Sequence, residues 1–310
     1  MTAQIILYIF SFGIIWFAAG IIVNSVDRIA HKLNLSSFSV SFFVLGILTS
    51  IPEISVGINS LIDNKPEIFA GNLIGGILVI FLLVIPLLAV FGNGLKLNHQ
   101  MSKDNLLFAL FVILAPSIFI LDGRISIIEG LASIFLYIVL IFIIEKKKGL
   151  LERIKDEIIN NTDQVDTDLV KLVVGVVTVF IVSKFIVDST IFFSNFYNIS
   201  PYLISLVILS VGTNLPELSL VFRSVLLKKN EVALGDFLGS AVANTVIFGV
   251  LTVIRGSDFL IKNHFLQTFI FVAGGLGLFY IFSRSKQDIS RNEGLILLLA
   301  YVGFLIVEIM

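Results

Sequence analysis

Two glutamates stand behind prolines in apolar surroundings. Glu53 ends the run Leu48-Thr49-Ser50-Ile51-Pro52, and Glu217 ends Gly212-Thr213-Asn214-Leu215-Pro216, a spacing of 217 − 53 = 164. A carboxylate within a lipid-soluble segment is costly and marks a functional site, commonly an ion path. Proline lacks an N–H and clashes with the preceding turn, which frees backbone carbonyls upstream. The residues placed to offer them are Gly46, Ile47, Leu48 and Thr49 in one copy and Ser210, Val211, Gly212 and Thr213 in the other. In lipid, such carbonyls survive only where they line a protected cavity, and there they can ligate cations. Thr49 and Glu53 stand four apart, as do Thr213 and Glu217, which puts each pair on one helical face. Each copy thus offers a hydroxyl, a carboxylate and loosened carbonyls. A symmetric pair of such copies points to a midplane ion site in a transporter built from two repeats.

A second pattern follows each acid: Gly71-Asn72-Leu73-Ile74-Gly75-Gly76 and Gly235-Asp236-Phe237-Leu238-Gly239-Ser240. Glycines four apart let helix backbones approach closely. Packing alone accounts for the glycines but not for Asn72, Asp236, Ser240 or Asn244, whose amide, acid and hydroxyl groups would add oxygens to the same cavity. Hard oxygen ligands with two carboxylates suit Ca²⁺ or Na⁺. The three histidines, His31, His99 and His264, lie at helix ends, and there is no cysteine, so thiolate metal sites and disulfides are excluded.

These groups need helices to hold them. The chain is 57% hydrophobic and only 14% charged, with a mean hydropathy of +1.04, against about 25% charged in soluble domains. The expected fold is an all-α integral membrane protein. Apolar stretches long enough for a hydrocarbon core about 30 Å thick fall near residues 4–24, 37–62, 68–93, 104–121, 125–144, 169–193, 201–227, 231–254, 264–283 and 293–309. That predicts ten spans. Glu145 to Asp168 is the one clear polar interruption, so the expected organisation is a first five-helix repeat at 1–145 with its ion-binding motif at 46–80, a charged cytoplasmic linker at 146–168, and a second repeat at 169–310 with its motif at 210–244. The first apolar stretch lacks a basic n-region and a small-residue cleavage site and reads as a retained helix.

Sixteen of the 21 Lys and Arg residues lie in or beside the loops after the odd-numbered spans, which places those loops in the cytoplasm and both termini outside. Five spans per half make the second half enter upside down. Adding 164 maps Ser25, Thr49, Pro52, Glu53, Ser55, Gly71 and Gly75, among others, onto identical residues without a gap. Such polar, Gly and Pro matches favour duplication over chance agreement between apolar helices.

With these motifs the chain resembles the sodium/calcium exchanger family of the cation/Ca²⁺ antiporter superfamily, over both halves. The resemblance implies an antiporter that exchanges Ca²⁺ for Na⁺ by alternating access, with no cofactor. It implies that Glu53 and Glu217 hold Ca²⁺, that Thr49 and Thr213 contribute ligands, and that the carbonyls of Gly46 and Ser210 line flanking Na⁺ sites. Ser50, Ser240 and Asn244 match further Na⁺ or water positions, and Asn214 occupies the place of a serine. Gly76 and Ile80 depart from the family's usual Ser and polar residue, and Asp236 replaces a typical Asn.

The two missing oxygens leave open a divalent cation antiporter of the same fold driven by protons on buried acids. A channel would need a selectivity ring, which an inverted twofold does not build, and no catalytic set of an enzyme lies at one depth. The expected partners are membrane lipid and inorganic cations. A formal net charge of −1 gives no basis for nucleic acid, and no protein partner is implied. The expected location is the cell membrane, as a multi-pass protein.

Overall fold

The computed structural model describes residues 2–32, 42, 46–96, 103–145, 166–227, 230–261, 265–285 and 288–309. The helices are α1 (Thr2–Lys32), α2 (Gly46–Thr49), α3 (Ile51–Ile62), α4 (Pro66–Val79), which runs through a π turn into α5 (Ile85–Phe91), α6 (Lys103–Phe119) and α7 (Ile127–Glu145). They continue with α8 (Asp166–Tyr197), α9 (Pro201–Ile204), a second π turn, α10 (Ser210–Thr213), α11 (Leu215–Leu227), α12 (Asn230–Arg255), α13 (Phe265–Ser285) and α14 (Arg291–Ile309).

The polarity is that of a protein dissolved in lipid. Ile9, Phe10 and Phe17 on α1 and Leu299, Val302 and Ile306 on α14 face outward, while Thr49, Ser50, Glu53, Asn72, Thr213, Glu217 and Asp236 are buried. Six helices are long and apolar enough to cross a membrane, and seven if Pro201–Thr213 and Leu215–Val221, bent by 44°, count as one span. The expectation of ten is met only in part by length and composition: α6 has 17 residues, α3 has 12, and α14 carries Arg291, Glu293 and Glu308. Most of the linker expected at 146–168 lies outside the described residues, as do His99, His264 and most of 33–45; Asp166 to Asp168 already belong to α8.

The 164-residue offset recurs in the architecture. It carries the first residues of α1, α3, α4 and α7, namely Thr2, Ile51, Pro66 and Ile127, onto Asp166, Leu215, Asn230 and Arg291, the first residues of α8, α11, α12 and α14. Four two-residue strands, too short to leave a periodic signal, obey it as well. Strand β1 (Leu95–Lys96) corresponds to β3 (Phe259–Leu260), and β2 (Arg124–Ile125) to β4 (Asp288–Ile289). β1 pairs antiparallel with β4 and β2 with β3, so each small sheet joins one strand from each half. Two capping boxes match too: the Ser126 and Ser290 N–H groups each donate to the carboxylate three residues on, Glu129 and Glu293, at 2.7 Å, which closes the starts of α7 and α14.

The centre is made by α4–α5 and α12, whose apolar and small side chains are buried almost throughout. Glycine makes their approach to the broken helices possible. A Cβ at Gly75 would fall on the Leu206 carbonyl, and one at Gly239 on the Phe42 carbonyl. α1 and α8 pack together alongside this centre, linked by the Tyr8 and Thr190 hydroxyls at 2.9 Å.

Candidate functional site

Both proline-bearing helices break one residue after the threonine. α2 ends at Thr49 and α3 starts at Ile51, with Ser50 between them at φ −79°, ψ 8°. α10 ends at Thr213 and α11 starts at Leu215, with Asn214 at φ −89°, ψ 15°. A helical face does not continue across such a break, and the threonines therefore do not stay with the glutamates of their own half. The Thr49 hydroxyl lies 3.4 Å from Asp236 Oδ1 and faces Glu217. The Thr213 hydroxyl donates to Asn72 Oδ1 at 3.1 Å and faces Glu53. The pairing expected within each repeat is thus crossed between halves, and both crossings bring the groups to one region.

The remaining contacts close the ring. Ser240 Oγ donates to Glu217 Oε1 at 3.1 Å and lies 3.3 Å from Ser50 Oγ. Asn214 Nδ2 is 3.4 Å from Glu53 Oε1. Glu53 and Glu217 are 1% and 0% exposed and close enough to repel one another electrostatically. Asp236, likewise buried, sits beside Glu217. Neither glutamate points into the acyl chains.

Buried polar groups without partners are costly, and several converge here: Glu53 Oε2, Glu217 Oε2, Asp236 Oδ2, Asn214 Oδ1 and Asn244 Oδ1 make no hydrogen bond. Carboxylate and amide oxygens of this kind are the donors that hard cations take. Among the described residues no three His, Cys, Asp or Glu side chains gather closely enough to hold a metal by themselves, so hydroxyl and amide oxygens have to complete any coordination shell.

The loosened carbonyls are less open than the prolines suggest. Gly46 O accepts from Ser50 Oγ at 2.7 Å and Thr49 Oγ1 at 3.3 Å. Ser210 O accepts from Asn214 Nδ2 at 2.8 Å and Thr213 Oγ1 at 3.3 Å. In this conformation side chains of the break itself satisfy them. The halves also differ at one matched pair: Ser50 meets Ser240, whereas Asn214 faces Gly76. A Cβ at Gly76 would come 3.2 Å from Asn214 Nδ2 and 2.8 Å from Asn244 Nδ2. The larger amides thus occupy the room the glycine leaves. Ile80 is fully buried and offers no side-chain oxygen.

A cavity of about 270 Å³ reaches this region along α1, lined by Trp16, Gly20 and Asn24 and ending at Thr49, Ser219 and Asp236. The sequence marked all the polar residues of the ring, because each is an oxygen-bearing side chain in an apolar run. It gave no signal for Trp16 and Gly20, which shape the approach and carry no ligand chemistry.

The sequence profile described as sodium/calcium exchanger protein matches residues 3–144 and 168–310. An uncharacterized membrane protein of Methanocaldococcus jannaschii is 30% identical over 304 residues, covering 97% of this chain and 94% of that one. A sodium/calcium exchanger of Methanosarcina acetivorans is 26% identical over 92% of each chain. A solved structure of the sodium-calcium exchanger NCX_Mj, soaked with 2.5 mM Na⁺ and 10 mM Sr²⁺, shares the fold at a TM-score of 0.70 and 22% identity, covering 98% of both chains.

Proposed function

The chain belongs to the sodium/calcium exchanger protein family, a family of membrane antiporters rather than enzymes, and on that premise we propose that it exchanges Ca²⁺ for Na⁺ by alternating access at a midplane site. The observation that carries this reading is the meeting of Glu53 and Glu217, from two broken helices, in a buried ring of unpartnered oxygens. Their joint charge of −2 is cancelled by one Ca²⁺, whereas several Na⁺ must share the same cage. An uncompensated pair of buried anions is costly to carry past lipid, so bound cations license the change of face.

In this reading Glu53 and Glu217 are the Ca²⁺ ligands, with Thr49 and Thr213 beside them. Ser50, Asn72, Asn214, Asp236, Ser240 and Asn244, and the carbonyls of Gly46 and Ser210, serve the Na⁺ positions. Ten spans form two inverted five-helix repeats, with both termini outside the cell membrane. The recurring 164-residue offset in helix starts, strand pairs and capping boxes supports the duplication. α1 and α8 move against the rest, exposing the site to each face in turn.

A second reading keeps the fold and couples divalent export to protons. It is favoured by the absence of side-chain oxygens at Gly76 and Ile80 and by Asp236 as a third acid. Ca²⁺ uptake into proteoliposomes under imposed Na⁺ or pH gradients separates the two. Uptake driven by the Na⁺ gradient alone supports the first, and uptake that follows only the pH gradient rejects it in favour of the second.

A further inference from the structure

The two halves differ in how their mobile helices are fastened. On α8, Lys184 Nζ reaches both carboxylate oxygens of Asp63, at the C-terminal cap of α3, with the Oδ2 contact at 2.6 Å, and also Asp188 Oδ1 at 2.8 Å. One turn earlier Asn59 Nδ2 donates to Ser183 Oγ at 2.8 Å and to the Phe180 carbonyl at 3.2 Å. α3 is the helix that opens with Pro52 and Glu53. Subtracting 164 from Ser183, Lys184 and Asp188 gives Ala19, Gly20 and Asn24 on α1, and adding it to Asp63 gives Leu227. Ala19 and Gly20 have no polar side chain and Leu227 no charge. The Lys184–Asp63 ion pair and the Asn59–Ser183 bond therefore have no counterpart on the other half, where Asn59 maps onto Arg223.

These counterparts coincide with the cavity. Gly20 and Asn24 line its wall, and Thr49, Ser219 and Asp236 lie at its inner end; their matches on α8 and its neighbours are Lys184, Asp188, Thr213, Ser55 and Asn72. Where α1 leaves a passage, α8 holds a bound lysine, and Ser55 is only 3% exposed. We propose that Lys184, with Asn59, forms a one-sided latch that holds α8 against α3 and keeps the second passage shut while the first is open. Lys184 and Asn59 are positioning residues. They touch no ion, and they set the balance between the two faces. The inference rests on the inverted-repeat reading above.

The chain has no cysteine, so single reporters are clean. Ser219→Cys reports the passage beside α1 and Ser55→Cys the one beside α8, each probed with a membrane-impermeant maleimide in intact cells and in inside-out vesicles. The latch predicts labelling from opposite faces, with Lys184→Met speeding Ser55→Cys roughly fivefold and slowing Ser219→Cys. A shift of that size is what losing a half-buried ion pair allows. Lys184→Arg should restore the original rates. Asn59→Leu, which leaves the ion pair intact, should move both rates in the direction of Lys184→Met, and it stands in if that variant does not fold. Opposite-face labelling with rates unchanged by either variant overturns the latch and leaves the exchange reading standing. Labelling of both cysteines from one face overturns the inverted alternation and the latch with it.

Discussion

Replacing Gly75 by alanine should separate close packing from simple helix preference. The new Cβ would fall on the Leu206 carbonyl and stand 2.7 Å from Ser210 Cβ and Oγ. Ordinary carbon contacts settle near 3.5–4.0 Å, so the two backbones must part by about 1 Å. Overpacking of this kind costs about 1–3 kcal/mol, against about 1 kcal/mol gained by alanine over glycine within a helix. At Gly274 on α13 a Cβ meets nothing within 4 Å, and only the gain remains, about 1 kcal/mol. Gly76 falls between, because the atoms its Cβ meets are the ends of the Asn214 and Asn244 side chains, which can yield. In detergent, thermal unfolding should rank Gly274→Ala above Gly76→Ala above Gly75→Ala, with the extremes roughly 2–5 °C apart. Because Leu206 and Ser210 lead into the break at Asn214, Gly75→Ala should also weaken Ca²⁺ uptake. A Gly75→Ala protein that melts with Gly274→Ala and transports normally would refute the close approach.

Removing either capping serine, Ser126→Ala or Ser290→Ala, should lower stability by about 0.5–2 kcal/mol, and equal melting of variant and parent would show that the boxes do not hold the helix starts. Asp258, outside the spans, accepts from the Arg124 guanidinium at 2.6 Å and from the Ile127 N–H at 3.3 Å, and these bonds hold its carboxyl below the usual carboxylate range. Its folded pKa is therefore the lower one. The stability it adds is present above the unfolded value of about 3.9 and is lost as pH falls through the folded value. Asp258→Asn should lower the melting temperature near neutral pH, less so in high salt, and the gap should close towards acid; a gap that widens towards acid would contradict the pairing. Asp236→Asn leaves the two glutamates in place and should retain Na⁺-driven Ca²⁺ uptake, so complete loss of transport would move Asp236 among the essential ligands.

Much of the ring was legible in the sequence because cost made it conspicuous. A glutamate behind a proline in an apolar run has few structural excuses, and finding it twice, 164 residues apart, exposed the offset that the helix starts also follow. The crossed threonines were not legible. Four-residue spacing implies a shared face only while the helix continues, and the breaks at Ser50 and Asn214 send Thr49 to Asp236 and Thr213 to Asn72. Nor did the prolines reveal that Ser50 and Asn214 would satisfy the carbonyls of Gly46 and Ser210. That outcome depends on side-chain rotation at a turn. The four short strands escaped notice because two residues have no period, and nothing in the sequence joins Lys184, well inside α8, to Asp63.

The central claim is that Glu53 and Glu217 share one divalent ion. Anomalous diffraction from crystals soaked in Sr²⁺, a Ca²⁺ surrogate with a usable absorption edge, examines it most directly. The account predicts a peak in contact with both carboxylates that disappears in the Glu53→Gln/Glu217→Gln protein. A peak bound to one glutamate alone, or one that persists without either acid, would contradict it.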